Sequence, residues 1–465
     1  MAGSPAALKL NPTPGFGVSE TRRMAGIGIV PSSVPDYLAG LAWAGSPAMP
    51  VFDSAAAGGI ARSSDNAIPV PPWPPLAPPV SRLPKVGTTI FTVVSALAAE
   101  HGAVNLGQGF PDFDCDPRLL DEVDAAMRAG HNQYPPMTGW PALRQAISRT
   151  IALIHGAVYD PDREITVTAG ATQAILTAIL ALVHPGDEVI VIEPAYDSYV
   201  PAITMAGAVP VFVPMTPPSD QQPTYTVPWD RVRQAVGPRT RMIIVNSPHN
   251  PTSSVFAADD LLALQQIACD HGLIVLSDEV YEHMVFDGAC HESVARYPAL
   301  AERSVIVSSF GKTFHVTGWK VGYLAAPAAL TAELRKVHQF MVFTVNTPMQ
   351  VALSRYLSDP TPWQTLSVFY QRKRDLFGAG LARTRFEPLP SRGTYFQLAR
   401  YRGLVDRCGD LNEAEFCRWL TTKVGVAAIP VSAFYDEPRE SGIVRFCFAK
   451  RDETLERALA LLQAL

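Results

Sequence analysis

Ser304-Val-Ile-Val-Ser-Ser-Phe-Gly-Lys-Thr313 is the stretch that decides the fold, because an apolar run stops there abruptly at small and polar residues. Four other runs have the same character, and they cover 164–168, 187–192, 241–245 and 273–276. All five are continuously apolar rather than alternating, which is typical of strands buried on both faces of a mostly parallel sheet. The sequence therefore predicts a large α/β domain.

A different pattern begins near residue 346. The helical stretches 348–357 and 369–381 precede short strands at 394–398 and 443–448. This order is typical of a smaller α+β domain. The predicted organisation is an extension at 1–84, a segment at 85–125 that packs with the small domain, the large domain at 126–345 and the small domain at 346–465.

The first 84 residues differ in composition from the rest of the chain. They hold fifteen of the 42 prolines, six of them between Pro71 and Pro79. Such a segment buries too little apolar surface to offset its ordering entropy, so we predict a disordered extension. The alternatives are a docking or targeting tail, or upstream sequence translated from a wrongly assigned start.

Composition and charge argue against several classes of protein. The net charge of −5 gives no basic face for nucleic acid. We find no apolar run of the roughly 18 residues that a membrane span requires. The six cysteines occur singly, without a CxxC pair, so neither a zinc site nor a disulfide framework is indicated and no metal is expected. Reduced thiols are typical of a cytoplasmic protein.

Polar residues cluster where four of the predicted strands end. The groups are 170–172, 246–250, 278–281 and 309–312. In open parallel sheets, ligands bind beyond the carboxyl ends of the strands. Four such groups at one sheet edge indicate a single polar site in the large domain.

Lys312 and Asp278 carry the chemistry of this site. A lysine directly after a buried strand is desolvated, which suits Schiff-base chemistry; the alternative is a surface lysine. A carboxylate at a buried strand end needs a partner, and a protonated pyridine nitrogen is one; a helix cap or a salt bridge is the alternative. Tyr281 could give its hydroxyl to the phenolic oxygen of the same ring.

The segment 170–172 leads into the first turn of a predicted helix. Free backbone N–H groups and the helix dipole favour an anion at such a place. Ser309 and Lys320 flank Lys312 and could complete a phosphate site.

With these residues assembled, the chain resembles the fold-type I, class I aminotransferases that use pyridoxal 5'-phosphate (PLP). The resemblance covers residues 85–465 and is most marked for the methionine aminotransferase branch, close to the kynurenine and glutamine transaminases. The matching strings are Asn105-Leu-Gly-Gln-Gly-Phe-Pro-Asp-Phe, Asn132-Gln-Tyr-Pro-Pro-Met-Thr-Gly, Thr168-Ala-Gly-Ala-Thr, Glu193-Pro-Ala-Tyr-Asp-Ser-Tyr, Asn246-Ser-Pro-His-Asn-Pro, Ser277-Asp-Glu-Val-Tyr, Ser309-Phe-Gly-Lys-Thr and Thr317-Gly-Trp-Lys-Val-Gly-Tyr.

The resemblance implies roles toward the cofactor. Lys312 would hold PLP and move the substrate proton, and Asp278 would pair with the pyridine nitrogen. The other implied cofactor residues are Asn250 and Tyr281 at the phenolic oxygen, Tyr196 against the ring, and Ala171, Thr172, Ser309 and Lys320 at the phosphate. Tyr134 would reach the phosphate of a neighbouring subunit, which implies a homodimer with shared sites.

The resemblance also implies substrate contacts. Arg445 would bind the α-carboxylate as a two-pronged donor, with Gly109 and Asn250 beside the substrate. The alternatives are that Arg445 forms a surface ion pair and that Tyr196 is a core aromatic. The expected reaction is a ping-pong transfer from an apolar or aromatic amino acid, methionine favoured, to a 2-oxo acid.

Three other functions use the same residues. They are a kynurenine or glutamine transaminase with β-lyase activity on cysteine S-conjugates, another PLP enzyme such as a lyase or synthase, and a non-catalytic regulator.

Phe110, Phe113 and Trp140 are the candidates to line an apolar side-chain pocket. Ser253 stands where the family often has glycine, which puts the exact turn after Asn250 in doubt.

Overall fold

The computed structural model describes residues 77–465. The predicted extension at 1–84 therefore lies outside the described residues except for 77–84, which form neither helix nor strand. The domain boundaries at 125/126 and 345/346 stay predictions.

Thirteen strands lie in the described part of the chain. They are β1 (Val104–Asn105), β2 (Ile165–Thr168), β3 (Glu188–Glu193), β4 (Val209–Pro214), β5 (Thr240–Asn246), β6 (Ile274–Asp278), β7 (Ser304–Ser309), β8 (Gly322–Ala325), β9 (Glu387–Pro388), β10 (Phe396–Arg400), β11 (Val426–Ala427), β12 (Ile429–Pro430) and β13 (Ile443–Cys447). The five apolar runs that were predicted as strands correspond to β2, β3, β5, β6 and β7, each within one residue of its predicted start.

Sixteen α-helices connect and flank these strands within residues 77–465. They are α1 (Ile90–Glu100), α2 (Pro117–Arg128), α3 (Pro141–His155), α4 (Gly170–Leu182), α5 (Tyr199–Met205), α6 (Trp229–Ala235), α7 (Ala258–His271), α8 (Pro298–Ala301), α9 (Phe310–Thr313), α10 (Ala328–Met341), α11 (Thr347–Tyr356), α12 (Thr361–Gln364), α13 (Leu366–Leu381), α14 (Val405–Cys408), α15 (Glu413–Trp419) and α16 (Asp452–Gln463). None of the helices in this part of the chain combines the length and apolar character that crossing a membrane would need.

The central sheet has seven strands in the order β2-β8-β7-β6-β5-β3-β4. The strands from β4 across to β7 run parallel, whereas β8 is antiparallel to both of its neighbours. Every residue of β6 is buried. The predicted mostly parallel α/β sheet is thereby confirmed.

A second, antiparallel sheet has the order β12-β13-β10-β9. Its core contains Phe446 together with Val104 and Leu106 from the start of the described chain, and β1 pairs with β11. Helix packing crosses the predicted boundaries, because α11 lies against α2 and α3 in the core of the large sheet.

Gly139 fixes the entry to α3 and touches the central sheet. Its φ is +105°, and a Cβ there would lie 2.6 Å from Val167 Cβ on β2. Gly130 also has a positive φ, +86°, but a Cβ there would meet nothing within 4 Å. Comparing an alanine substitution at each position therefore distinguishes the cost of backbone strain from the cost of steric overlap.

We predict that Gly139→Ala lowers the free energy of unfolding by about 1–3 kcal/mol more than Gly130→Ala, since only the first overpacks the core. Both variants carry the cost of a left-handed alanine, so Gly130→Ala is the matched control. Equal losses in urea unfolding would show that the sheet yields to the added methyl group.

Candidate active site

The carboxyl ends of β5, β6 and β7 and the start of α4 line one cavity of about 240 Å³. Eleven of the twelve predicted site residues line it, and the exception is Tyr134. The eleven are Gly109, Ala171, Thr172, Tyr196, Asn250, Asp278, Tyr281, Ser309, Lys312, Lys320 and Arg445. The tertiary structure thus brings together residues from four strand ends and from the second sheet.

Lys312 lies in α9, one short turn after β7 ends. Its Nζ donates to Tyr395 Oη at 3.0 Å and to the Gly109 carbonyl oxygen at 3.4 Å. Burial lowers the pKa of the Lys312 amine from its ordinary value to about 8. A larger fraction of this amine is therefore neutral at physiological pH than of a surface lysine, as a nucleophile or base requires.

Asp278 ends β6 with its carboxylate buried in the cavity wall. Oδ2 accepts from the Tyr199 hydroxyl at 2.7 Å, and Oδ1 accepts from the Val280 N–H at 3.4 Å. Burial raises the pKa of Asp278 from 3.8 to about 6, although these hydrogen bonds lower it. Within residues 77–465 no cation forms a salt bridge with this carboxylate, so a positively charged ring nitrogen fits the site.

Arg445 comes from β13 of the second sheet and is almost fully buried. Its guanidinium lies 3.9 Å from the centre of the Phe396 ring and 4.9 Å from that of Phe434. Nη1 donates to Asn250 Oδ1 at 2.5 Å and Nη2 to the Gly107 carbonyl at 3.2 Å. In the described chain, Nε is buried and has no hydrogen-bond partner.

The Arg445 charge has no acidic partner at salt-bridge distance among the described residues. Burial lowers the pKa of its guanidinium to about 10, which still leaves it charged near neutral pH. A buried cation with an unused N–H donor fits a carboxylate ligand. The alternative of a surface ion pair for Arg445 is therefore wrong.

The first turn of α4 has the features of an anion site. No N-cap side chain accepts from the N–H groups of this turn. The helix has 13 residues, so its dipole also favours an anion at this end. Gly322 allows the backbone at Ala171 to approach closely, because a Cβ at position 322 would lie 3.2 Å from the Ala171 nitrogen. Lys320 has a φ of +55°, and its Nζ lies 3.4 Å from where a Cβ of Gly170 would be. Backbone amides without a side-chain cap and a nearby ammonium suit a phosphate.

Asn246 braces the loop that carries Asn250. Its Nδ2 donates to the Asp278 backbone oxygen at 2.8 Å, and its Oδ1 accepts from the Asn250 N–H at 2.8 Å. Ser253 closes the same loop with a φ of +59°, and its hydroxyl donates to the Phe396 carbonyl at 2.8 Å. The serine thus adopts the left-handed conformation expected of glycine, held by a hydrogen bond to the second sheet.

The acidic neighbours of Asp278 do not line the cavity. Glu279 accepts from His291 Nε2 at 2.8 Å and from Ser277 Oγ at 2.8 Å. Glu282 pairs with His155 Nε2 at 2.9 Å and accepts from Ser308 Oγ at 2.7 Å. These buried pairs fix the chain on either side of Tyr281.

Tyr134 lies outside the cavity with 81% of its surface exposed. Its ring packs edge-on against Phe343, at 5.4 Å between centroids. This position is open to a second subunit.

Phe110, Phe113 and Trp140, the predicted lining of an apolar side-chain pocket, do not line this cavity in the described chain. Phe113 packs edge-on against His315 and Phe369, Trp140 packs against His131, and Phe110 lies beneath the Lys450 ammonium. The larger apolar side chains that line the cavity are Phe91, Val280 and Phe396. The direction of these aromatic side chains depends on packing against residues distant in sequence. The spacing of residues along the chain does not predict that direction.

Two residues that contact the predicted site were missed in the sequence. Tyr199 bonds Asp278 and stands at the end of the quoted string that begins at Glu193. Tyr395 contacts Lys312 and stands in the predicted strand 394–398. Both belonged to recognised segments, but only tertiary structure shows which hydroxyl reaches which charge.

The model of the family described as "Aminotransferase class I and II" matches residues 102–462. A crystal structure from Escherichia coli, identified as a methionine aminotransferase, is 47% identical with a TM-score of 0.80 and covers 84% of this chain and 100% of its own. The "Probable N-succinyldiaminopimelate aminotransferase DapC" of Mycobacterium tuberculosis is 44% identical over 83% of this chain and 98% of its own length. Kynurenine–oxoglutarate transaminase 3 of Mus musculus is 36% identical over 82% of this chain and 89% of its own length.

The chain belongs to the class I and II aminotransferases. It is an enzyme with the fold-type I architecture, which confirms the predicted family, fold and aminotransferase activity. The family is PLP-dependent.

We predict that Asp278→Asn makes the cofactor-free protein more stable at pH 8, by about 1–3 kcal/mol. The pKa of Asp278 is raised in the folded protein, so the charged carboxylate lowers the free energy of unfolding. This loss of stability is absent below the unfolded pKa of 3.8 and grows until about pH 6. The gain measured by urea unfolding should therefore shrink toward pH 4. An Asp278→Asn protein that is no more stable at pH 8 would mean that the carboxylate already has a cationic partner.

Proposed function

We propose that this aminotransferase binds PLP in the cavity and moves the amino group of methionine, or of another apolar or aromatic amino acid, to a 2-oxo acid. One observation carries the proposal. Lys312, Asp278 and Arg445 line the same cavity, and none of them forms a salt bridge within residues 77–465. A PLP–amino acid pair supplies an aldehyde, a ring cation and a carboxylate, which complement these three groups.

The remaining lining residues fit the rest of the cofactor. Asp278 would keep the ring nitrogen protonated, Asn250 and Tyr281 would bind the phenolic oxygen, and Tyr196 would pack against the ring. Ala171, Thr172, Ser309 and Lys320 would hold the phosphate at the start of α4. When bound, the cofactor supplies an electron sink for the substrate Cα.

Lys312 would hold the cofactor through its amine and, as a free amine, would take the proton from the substrate Cα. Its lowered pKa leaves part of the amine neutral near physiological pH, so that it can act as a base. Arg445 orients the substrate by its α-carboxylate and so fixes the Cα–H bond relative to Lys312. Gly109, which has no side chain, leaves room beside the substrate backbone.

The charges of the cavity favour an apolar donor side chain. Lys312, Lys320 and Arg445 are the cations that line it, and each is already assigned to the aldehyde, the phosphate or the α-carboxylate. In the described chain, no lining cation is left for a side-chain carboxylate. Phe91, Val280 and Phe396 provide apolar surface, which discriminates between similar side chains by only about 1–3 kcal/mol.

The second candidate is a kynurenine or glutamine transaminase with β-lyase activity on cysteine S-conjugates. The 36% identity to a kynurenine–oxoglutarate transaminase supports it, and the same apolar wall accepts an aromatic donor. A donor panel with methionine, kynurenine, glutamine, phenylalanine, glutamate and an S-substituted cysteine separates these functions, since only the β-lyase reaction releases pyruvate.

We also propose that the enzyme is a cytoplasmic homodimer. Tyr134 is 81% exposed, and its neighbour Phe343 is 43% exposed, as expected of aromatics that meet another subunit. All six cysteines are free, which is usual in a reducing compartment.

We predict that L-methionine without an oxo acid bleaches the visible band of the PLP-loaded enzyme and releases one equivalent of 2-oxo acid per site. Borohydride treatment before substrate should fix the cofactor to the peptide that contains Lys312, and Lys312→Ala should lose both results. A PLP-bound enzyme that no donor in the panel bleaches would leave the non-catalytic alternative; the absence of a PLP-dependent band would overturn the cofactor assignment.

We predict that Tyr134 acts across a subunit boundary. Lys312→Ala and Tyr134→Ala homodimers should each be nearly inactive, but hybrids of the two contain one site with both residues intact. Refolding the two variants together should therefore restore activity to about one quarter of wild type, because roughly half the dimers are hybrids with one working site. Failure of the mixture to regain activity, with exchange verified by mass, would place Tyr134 outside the shared site.

A further inference from the structure

The hydroxyl of Tyr395 lies at the reacting atom of the site. Lys312 Nζ is 3.0 Å from Tyr395 Oη and 3.4 Å from the Gly109 carbonyl oxygen. Tyr395 Oη is itself 2.5 Å from that carbonyl. The three atoms form a triangle that joins the large sheet, the second sheet and the segment after β1.

The hydrogen bonds of this triangle have one consistent arrangement when Lys312 is charged. A carbonyl oxygen only accepts, so the Tyr395 hydroxyl donates its single proton to Gly109. Its lone pairs then face the ammonium of Lys312, which donates to both oxygens. Two acceptors stabilise the charged amine, whereas burial destabilises it.

Aromatic packing holds the Tyr395 ring in place. The residue is fully buried and packs edge-on against Tyr281 and Phe396, at 5.2 and 4.9 Å between ring centroids. Tyr370 lies 5.7 Å away in the same cluster. A hydroxyl on a ring fixed in this way has little freedom to leave Lys312, so its position is preorganised.

Several other groups affect the pKa of the Lys312 amine, so a test of Tyr395 has to leave these groups unchanged. Asp278 and the Cys447 thiol favour the charged form, and Arg445 and Lys320 oppose it. Tyr281 presents its ring to the ammonium, with Nζ 5.8 Å from the ring centroid. Of the described groups around Lys312, Tyr395 and Gly109 are the two within hydrogen-bond distance.

We propose that Tyr395 is a positioning residue that holds the Lys312 amine whenever that amine is not bonded to the cofactor, and that it sets the proton affinity of the amine there. The catalytic consequence rests on the function proposed above. After substrate displaces Lys312, the amine is held at one place and keeps enough proton affinity to accept the Cα proton. Without the hydroxyl, the freed amine becomes a weaker and less ordered base.

The first test measures Lys312 in cofactor-free protein and so does not depend on turnover. Competitive acetylation with acetic anhydride across a pH series, followed by peptide mass spectrometry, gives the pKa of this one amine. In Tyr395→Phe we expect a pKa lower by about one pH unit, because a hydrogen bond to a charged group is worth roughly that much. The direction follows from loss of an acceptor that stabilises the ammonium.

Tyr370→Phe is the matched control. It removes a buried hydroxyl from the same aromatic cluster, one that has no hydrogen-bond partner among the described residues, and it leaves the triangle intact. Its Lys312 pKa should equal that of wild type. An unshifted pKa in Tyr395→Phe, or an equal shift in both variants, overturns the proposal, because the effect would then be absent or would come from packing alone.

A second measurement follows the single-turnover reaction of PLP-loaded enzyme with L-methionine against pH. Tyr395→Phe should move the acid limb to lower pH and lower the plateau, whereas Tyr370→Phe should do neither; an unmoved limb counts against Tyr395. If wild type itself fails to react with any donor, the proposed function falls, while the acetylation result still decides the role of Tyr395 toward Lys312.

Discussion

The parallel register of β5, β6 and β7 is the constraint on which the rest of the site depends. Asn246 pairs with Asp278 across β5 and β6, and Asp278 pairs with Val307 across β6 and β7. Every residue of β6, the last five residues of β5 and the first five of β7 are buried, so polar and charged side chains collect where these strands end. The parallel direction puts those ends at one edge, which is why a carboxylate, an amide and a lysine meet in a single cavity.

That cavity holds charged groups that form no salt bridge within residues 77–465. Asp278 and Arg445 are buried and Lys312 is half-buried, and desolvation shifts the pKa of each so that its neutral form is favoured. Keeping such groups costs stability, which the apolar cores of the two sheets must offset. The cost has a functional meaning, because ligands that carry complementary charges recover it on binding. The polar groups of the site are thus already in place in the protein alone.

The second sheet completes the site rather than merely covering it. Arg445 on β13 bonds Asn250 from the loop after β5, and Ser253 in the same loop bonds the backbone of β10. Tyr395 and Gly109 reach Lys312 from segments that are 83 and 203 residues away in sequence. The position of the Arg445 guanidinium and the surroundings of the Lys312 amine therefore depend on how the two sheets are packed together.

The sequence by itself determined the five central strands, the position of Asp278 and Lys312 where two of these strands end, and, through its resemblance to a known family, the class of enzyme. Continuous apolar runs that end at polar residues are compatible with few folds, and the buried parallel sheet is one of them. The residue types around Lys312 and Asn250 are recognisable without knowledge of distant contacts. Tertiary structure alone decided that Tyr199 bonds Asp278, that Tyr395 contacts Lys312, and that Phe113 and Trp140 lie away from the cavity. The physical reason is that apolar periodicity is a property of neighbouring residues, whereas the direction of a ring or a hydroxyl is set by packing against partners distant in the chain.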